Sequence, residues 1–309
     1  MKKTRLGRTG LRVTPVCYGT WQISSEWNFR IEDKPVMIEA MRRAVELGIN
    51  FFDTADAYGN GLSEKIVGEA LGVFKRENLV LATKVFHHFR EDGSRHPDLS
   101  KNYIISECEA SLKRLGTDYI DLYQCHAFDP LSGFEETGAA MEKLKAEGRI
   151  KAFGVSNYSA WQLQAALKYG NYSACQPFYS LLHRDAEAEI LPFCRLEDIG
   201  VLCYSSLHRG LLTGKYEGDE SFSDNRKNHP DFSGMRFSSL CKKVKELKNT
   251  ADKYSMTTVQ LVLAATMMNP MIDCAIVGIK KPGHIEEAAG SVGKSLERAD
   301  YFKVLEILG

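Results

Sequence analysis

The sequence predicts an α/β fold, a (β/α)8 barrel. Three observations carry that expectation. Short apolar runs alternate with amphipathic helical segments almost from end to end. Eight such units can be counted, the number that closes a parallel sheet on itself. The runs are rich in β-branched and aromatic residues and lack polar alternation, as strands buried on both faces require.

The units follow in order. The run Thr14–Gly19 precedes a helical pattern over Val36–Leu47 ended by Gly48. Asn50–Asp53 precedes Ser63–Leu71, with Ser63 placed as N-cap. Leu79–Lys84 precedes Asn102–Leu115, and Tyr119–His126 precedes Phe134–Glu147, each helix closing on a glycine. Ile150–Val155 with Ala160–Tyr169, Ala174–Gln176 with Glu187–Leu196, and Val201–Tyr204 continue the series. Helices Leu240–Tyr254 and Val259–Met268 come next, then strand Ala275–Val277 and helix His284–Val292. Arg209–Ser239, rich in Gly, Ser, Asp, Asn and Pro, reads as a long loop leading into an extra helix after the seventh strand. Arg5–Thr14 reads as a small hairpin turning at Thr9-Gly10 and closing the barrel bottom. No linker or repeat divides the chain, so residues 1–309 are expected to form a single domain. A doubly wound open sheet is the competing fold. It needs G-x-G-x-x-G after its first strand, and the sequence has no such motif there.

Composition excludes several classes. Lys plus Arg equals Asp plus Glu at 40 each, so nothing favours a nucleic-acid partner. No apolar stretch approaches the ~20 residues of a membrane span. The basic N-terminus has no apolar segment behind it, and the cytoplasm is the expected location. The eight cysteines form no C-x-x-C pair and read as buried hydrophobes in a reducing compartment. His87-His88 suggests a metal, but no carboxylate or third ligand lies at suitable spacing, so no metal site is expected.

Asp53, Lys84 and His126 end three successive runs, and Tyr58 follows Asp53 on the same loop. In a barrel the strand C-termini converge on one face. A carboxylate, an amine, an imidazole and a phenol gathered there form a proton-transfer apparatus. Each alone has a plainer reading: an ion pair, a packed histidine, a surface phenol. Adjacency of all four favours catalysis. An ammonium about 4 Å from the phenol, at an effective dielectric of ~20, favours the phenolate by about 4 kcal/mol, roughly three pKa units. Desolvation opposes this, so a smaller net fall in the Tyr58 pKa is expected.

At these residues the chain resembles the aldo-keto reductase superfamily. The carrying segments are F-F-D-T-A-D-A-Y-G-N-G-L-S-E, Leu115–His126, Gly148–Tyr158 and Gly210–Tyr216. The resemblance implies NADPH-dependent reduction of an aldehyde or ketone, with Tyr58 as general acid, Lys84 and Asp53 tuning it, and His126 orienting the carbonyl. It implies that Ser156, Asn157 and Gln176 hold the carboxamide of nicotinamide and that Tyr204 stacks on its ring. Gly19 and Thr20, beside Asp53, would lie close to the cofactor, and Ser205, Leu207, Gly210 and Leu211 along its pyrophosphate. Gly278, Lys280 and Lys281 would receive a 2′-phosphate, with His284 and Glu287 beyond; without the resemblance, the lysines read equally as a solvated turn. The family often carries Gln and Asn where this chain has His284 and Ala288, and Arg near Lys280, which leaves NADH as the weaker expectation. Trp21, Trp27, Phe86 and Phe128 are expected to form an aromatic wall for a small carbonyl substrate or, as readily, to cap the barrel. Some proteins resembling this family are potassium-channel β-subunits, so a cofactor-binding regulatory subunit is the alternative.

Overall fold

Isolated apolar runs of three to seven residues cannot bury both faces alone, and closing them into a ring solves that. In the computed structural model, which describes residues 1–90 and 94–309, they do so. Strands β1 (Thr4–Arg5) and β2 (Arg12–Val13) form an antiparallel hairpin. The barrel strands are β3 (Val16–Gly19), β4 (Phe51–Asp53), β5 (Val80–Val85), β8 (Ile120–Cys125), β9 (Ile150–Ser156), β10 (Ala174–Gln176), β11 (Gly200–Cys203) and β12 (Cys274–Gly278). Each pairs in parallel with the next, and β12 pairs with β3 to close the ring. Between β5 and β8 stands a second hairpin, β6 (His87–Phe89) and β7 (Arg95–Pro97), which the sequence pattern did not disclose.

Helices α1 (Lys34–Glu46), α2 (Leu62–Leu71), α3 (Lys101–Leu115), α4 (Phe134–Ala146), α5 (Ala160–Ala166) and α6 (Ile190–Leu196) follow successive barrel strands. After β11 come α7 (Gly234–Lys253), the extra helix, and α8 (Thr258–Met268). Then α9 (Pro282–Ala289) follows β12, and α10 (Arg298–Leu308), unforeseen in the sequence reading, packs its buried Val304, Leu305 and Leu308 beside α7.

Several boundaries differ from those expected, three of them near the site or the insertion. Ser63 is not the N-cap of α2: Gly61, left-handed at φ 79°, caps the helix two residues earlier. Ser63 instead points its hydroxyl inward to Thr20 and Thr54, at 2.8 Å each. The segment before α6 is a short 3-10 turn, Asp185–Glu187. The insertion helix starts at Gly234, six residues before the expected Leu240.

The N-terminal hairpin closes the barrel bottom as expected. Leu6, Leu11 and Val13 pack with inward-facing Phe51, Val80, Leu122, Leu202 and Ile276. Gly7, at φ +45°, lies so close to β11 that a Cβ would come within 2.0 Å of the Gly200 nitrogen. Because that obstacle is backbone, Gly7→Ala is expected to cost about 3 kcal/mol. The midpoint of guanidinium unfolding checks this; an unchanged midpoint would show that the plug is not held there. All eight cysteines are buried with free thiols. Among the described residues no helix is long and apolar enough to cross a membrane.

Candidate active site

The strand ends bring the four polar residues together. Asp53 is the last residue of β4, Lys84 the penultimate residue of β5, and His126 the first after β8. The Lys84 ammonium, fully buried, donates to Asp53 Oδ2 at 2.7 Å, to the Thr54 carbonyl at 2.9 Å and to the Tyr58 hydroxyl at 3.3 Å. Asp53 accepts a second bond on Oδ1 from Gln176 Nε2 at 2.8 Å. Tyr58 and His126 meet edge to face with ring centroids 5.8 Å apart. A buried ion pair survives only when its remaining lone pairs and protons are satisfied, and here the pair is bonded on both sides.

The electrostatics revise one expectation. Burial pushes the Tyr58 hydroxyl up, outweighing the opposing pull of Lys84, to a pKa of about 12. Tyr58 is therefore a protonated phenol at neutral pH, and the expected net fall does not occur. Burial would discharge Lys84, but Asp53 and Tyr58 outweigh it and raise its pKa. Burial, with Lys84 and His87 nearby, holds His126 well below the ordinary histidine range, so its ring is neutral.

Two cavities meet over these residues. The larger, about 490 Å³, runs from Gly19, Thr20, Asp53 and Tyr58 past Tyr204, Ser205, Leu207 and Gly210 to Gly278, Lys280, His284 and Glu287. The smaller, about 250 Å³, is lined by Trp21, Tyr58, His126, Ser156, Asn157 and Phe178, among others. Both share Gln176, Tyr204 and Arg209. Asn157 links them: its Oδ1 accepts from the Tyr204 hydroxyl at 2.8 Å and its Nδ2 donates to the His126 carbonyl at 2.9 Å.

The expected site residues are spread unevenly over the two cavities. Ser156 and Asn157 face the smaller cavity rather than the larger. The Gln176 amide is committed to Asp53, and the Ser156 hydroxyl donates to the Gln176 carbonyl at 2.9 Å. Leu211 is buried with Tyr216, Phe232 and Phe237, because its loop turns that side chain toward α7. Lys281 is exposed outside the cleft. The aromatic wall is only partly assembled. Trp21 borders both cavities, but Trp27 borders only the larger, between Arg226 at 5.5 Å and Lys280 at 5.3 Å. Phe86 packs against His87, and Phe128 stacks on Phe134, since both rings leave their strands on the outward side.

The sequence reading missed Lys215, Arg226, Arg209 and Arg95, all of which line a cavity, whereas Glu26 and His87 come from the loops 21–27 and 86–90, where substrate contacts are expected. Lys215 lay in plain view within Gly210–Tyr216, whereas Arg95 depends on the hairpin pairing, which no local pattern reveals. The same hairpin sets His96 and Asp98 beside His88, the neighbours that spacing had seemed to deny it. A second group, His183, His208 and Asp231, assembles across the insertion.

The larger cavity fits a polyanionic dinucleotide. At its far end burial and mutual repulsion with Arg226 lower the pKa values of both Lys215 and Lys280. Three of its lining residues carry buried polar atoms without partners among the described residues: Gln22 Oε1, Trp27 Nε1 and Arg209 Nε. Such groups are costly unless something satisfies them.

Residues 15–308 match the family model described as "Aldo/keto reductase family". The chain is 37% identical over 314 residues to "Aldo-keto reductase YhdN" of Bacillus subtilis (strain 168), covering 100% of this chain and 94% of that protein. It is 34% identical to "NADH-specific methylglyoxal reductase" of Escherichia coli (strain K12), covering 97% and 96%. It is 33% identical to "Probable voltage-gated potassium channel subunit beta" of Oryza sativa subsp. japonica, covering 93% and 90%. Among solved structures, the glycerol dehydrogenase AKR11B4 from Gluconobacter oxydans superposes with a TM-score of 0.90 at 30% identity, covering 99% of this chain and 94% of that one. Barrel, buried relay and full-length similarity agree: the chain belongs to the aldo/keto reductase family and is an oxidoreductase.

Proposed function

We propose that the protein reduces an aldehyde or ketone to the alcohol, reversibly, with NADPH as reductant and Tyr58 as proton donor. The observation that supports this reading best is the Asp53–Lys84–Tyr58 relay, opening where the two cavities meet. A nicotinamide bound in the larger cavity supplies hydride chemistry. Tyr58 passes its hydroxyl proton to the carbonyl oxygen, and the Lys84 ammonium, 3.3 Å away, stabilises the phenolate left behind. Asp53, itself held by Gln176, fixes Lys84 in place. The neutral His126 ring offers an N–H to the same oxygen and orients it. Among the described residues its Nδ1 has no partner, which leaves the tautomer with the proton on Nε2 unopposed by them. In the reverse direction the phenolate takes the proton from the alcohol.

Preference for NADPH over NADH rests on Lys215, Arg226 and Lys280 at the far end of the cleft. A charge-assisted bond is worth about 1.5–3 kcal/mol. Lys280→Met is therefore expected to raise KM for NADPH at least about tenfold and to leave KM for NADH unchanged. The deciding experiment follows cofactor oxidation over a panel of aldehydes and ketones with each cofactor in turn. Tight NADPH binding without turnover of any carbonyl would favour the regulatory-subunit reading instead. The buried free thiols support a reducing, cytoplasmic location.

A further inference from the structure

The His183–His208–Asp231 cluster lies outside the proposed reaction machinery, and we propose that it is a zinc-binding site. Its three ligand atoms come from three separate segments. His183 sits in the loop after β10, His208 in the loop after β11, and Asp231 in a 3-10 turn of the insertion, Pro230–Phe232. His183 Nε2 lies 2.7 Å and His208 Nε2 2.8 Å from the same carboxylate oxygen, Asp231 Oδ2. All three atoms fall within 4.8 Å of one another. Two imidazoles and one carboxylate are a borderline donor set suited to Zn²⁺ and poorly suited to Mg²⁺.

The surroundings fit a three-ligand site with one open position. His208 and Asp231 are buried, whereas His183 is partly exposed. A cleft of about 300 Å³, lined by His183, Asp231, Arg236 and Lys243, leads from solvent to two of the three ligands, His183 and Asp231, which leaves room for a water to complete the tetrahedron. Arg236 Nε holds the other carboxylate oxygen, Oδ1, at 2.5 Å and leaves Oδ2 directed at the imidazoles. The Arg236 side chain is 61% exposed, so its charge is screened by solvent. His229 borders the group through its Nδ1, which accepts from the Asp231 backbone N–H at 3.2 Å. His208 reaches its place through a left-handed backbone, φ 44°, a conformation rare for a non-glycine residue.

Coordination uses the Nε2 lone pair of each imidazole, so a hydrogen on Nε2 leaves that atom as the metal binds. Zinc then replaces two hydrogen bonds with coordinate bonds that tie the insertion to the loops after β10 and β11. Those loops carry Phe178, packed on both histidines, and Tyr204, packed on Phe178. The site thus braces one wall of both cavities without contributing to them.

The test uses the full chain, freed of metal by chelator, titrated with Zn²⁺ against a chromophoric competitor. One equivalent is expected to bind with Kd below about 10 μM, and Co²⁺ in its place to give the visible absorption of a four-coordinate centre. Mg²⁺ is expected not to bind. His208→Gln and Asp231→Asn should each weaken binding by about 100-fold or more, whereas His88→Gln, in the hairpin cluster, should leave it unchanged. Absence of stoichiometric Zn²⁺ binding by the unaltered chain overturns the proposal whether or not the variants fold. Loss of binding in His88→Gln but not in His208→Gln overturns it equally, by moving the metal to the hairpin.

Discussion

Tyr58→Phe is expected to lower kcat for carbonyl reduction by about 10²–10⁴-fold, the usual contribution of a positioned general acid. Binding of NADPH, followed by fluorescence, should stay within about twofold, because the hydroxyl is removed while the ring and its contact with His126 remain. The pH dependence gives a second reading of the same group. Reduction needs the phenol, and burial raises its pKa to about 12. The reductive rate should therefore be flat from neutral pH to mildly alkaline pH and fall only as pH rises through that value. Alcohol oxidation needs the phenolate and should rise with pH over the same range, by about tenfold per unit below the pKa. His126 adds no limb near neutrality, since its ring is already uncharged there. Turnover in Tyr58→Phe equal to that of the unaltered enzyme would exclude Tyr58 as the donor. A reductive rate that halves near pH 7 would assign the acid to another group.

The sequence disclosed what depends on local pattern and withheld what depends on distance in the fold. Phe51-Phe52-Asp53 and Leu79–Lys84 show an apolar run stopping at a charge, and a parallel barrel converts that into a shared pocket. The direction of the Tyr58 pKa was not legible in the same way. Coulomb attraction follows from two residue types and an assumed separation, whereas desolvation depends on the depth of the pocket. The hairpin of His87–Phe89 and Arg95–Pro97 was hidden because its strands are half-exposed and carry no apolar alternation. Arg95 therefore reached the smaller cavity unannounced. Phe86 and Phe128 line neither cavity, since nearness in sequence to Lys84 and His126 says nothing about which side of the barrel a ring takes. The cluster at 183, 208 and 231 draws on three loops, and no local pattern in the sequence joins them.

Lys84→Met should have the largest effect on stability, because it strands a charge rather than merely removing one. Lys84 is fully buried and Asp53 is 2% exposed, so solvent cannot replace the lost ammonium. The carboxylate would keep Gln176 on Oδ1 but lose its donor on Oδ2, and the Thr54 carbonyl would lose its own. Breaking a buried pair from one side costs about 3–5 kcal/mol. Guanidinium unfolding should register that loss, together with a fall in kcat, since no cation remains to stabilise the Tyr58 phenolate. The double variant Lys84→Met with Asp53→Asn separates the two roles. It removes the stranded charge and should recover part of the stability, so the two substitutions are non-additive. Activity should not return, because the phenolate still lacks its cation. A single variant that loses less than about 1 kcal/mol would mean that water reaches Asp53. A double variant no more stable than the single one would mean that Lys84 stabilises the fold through its packing rather than its charge.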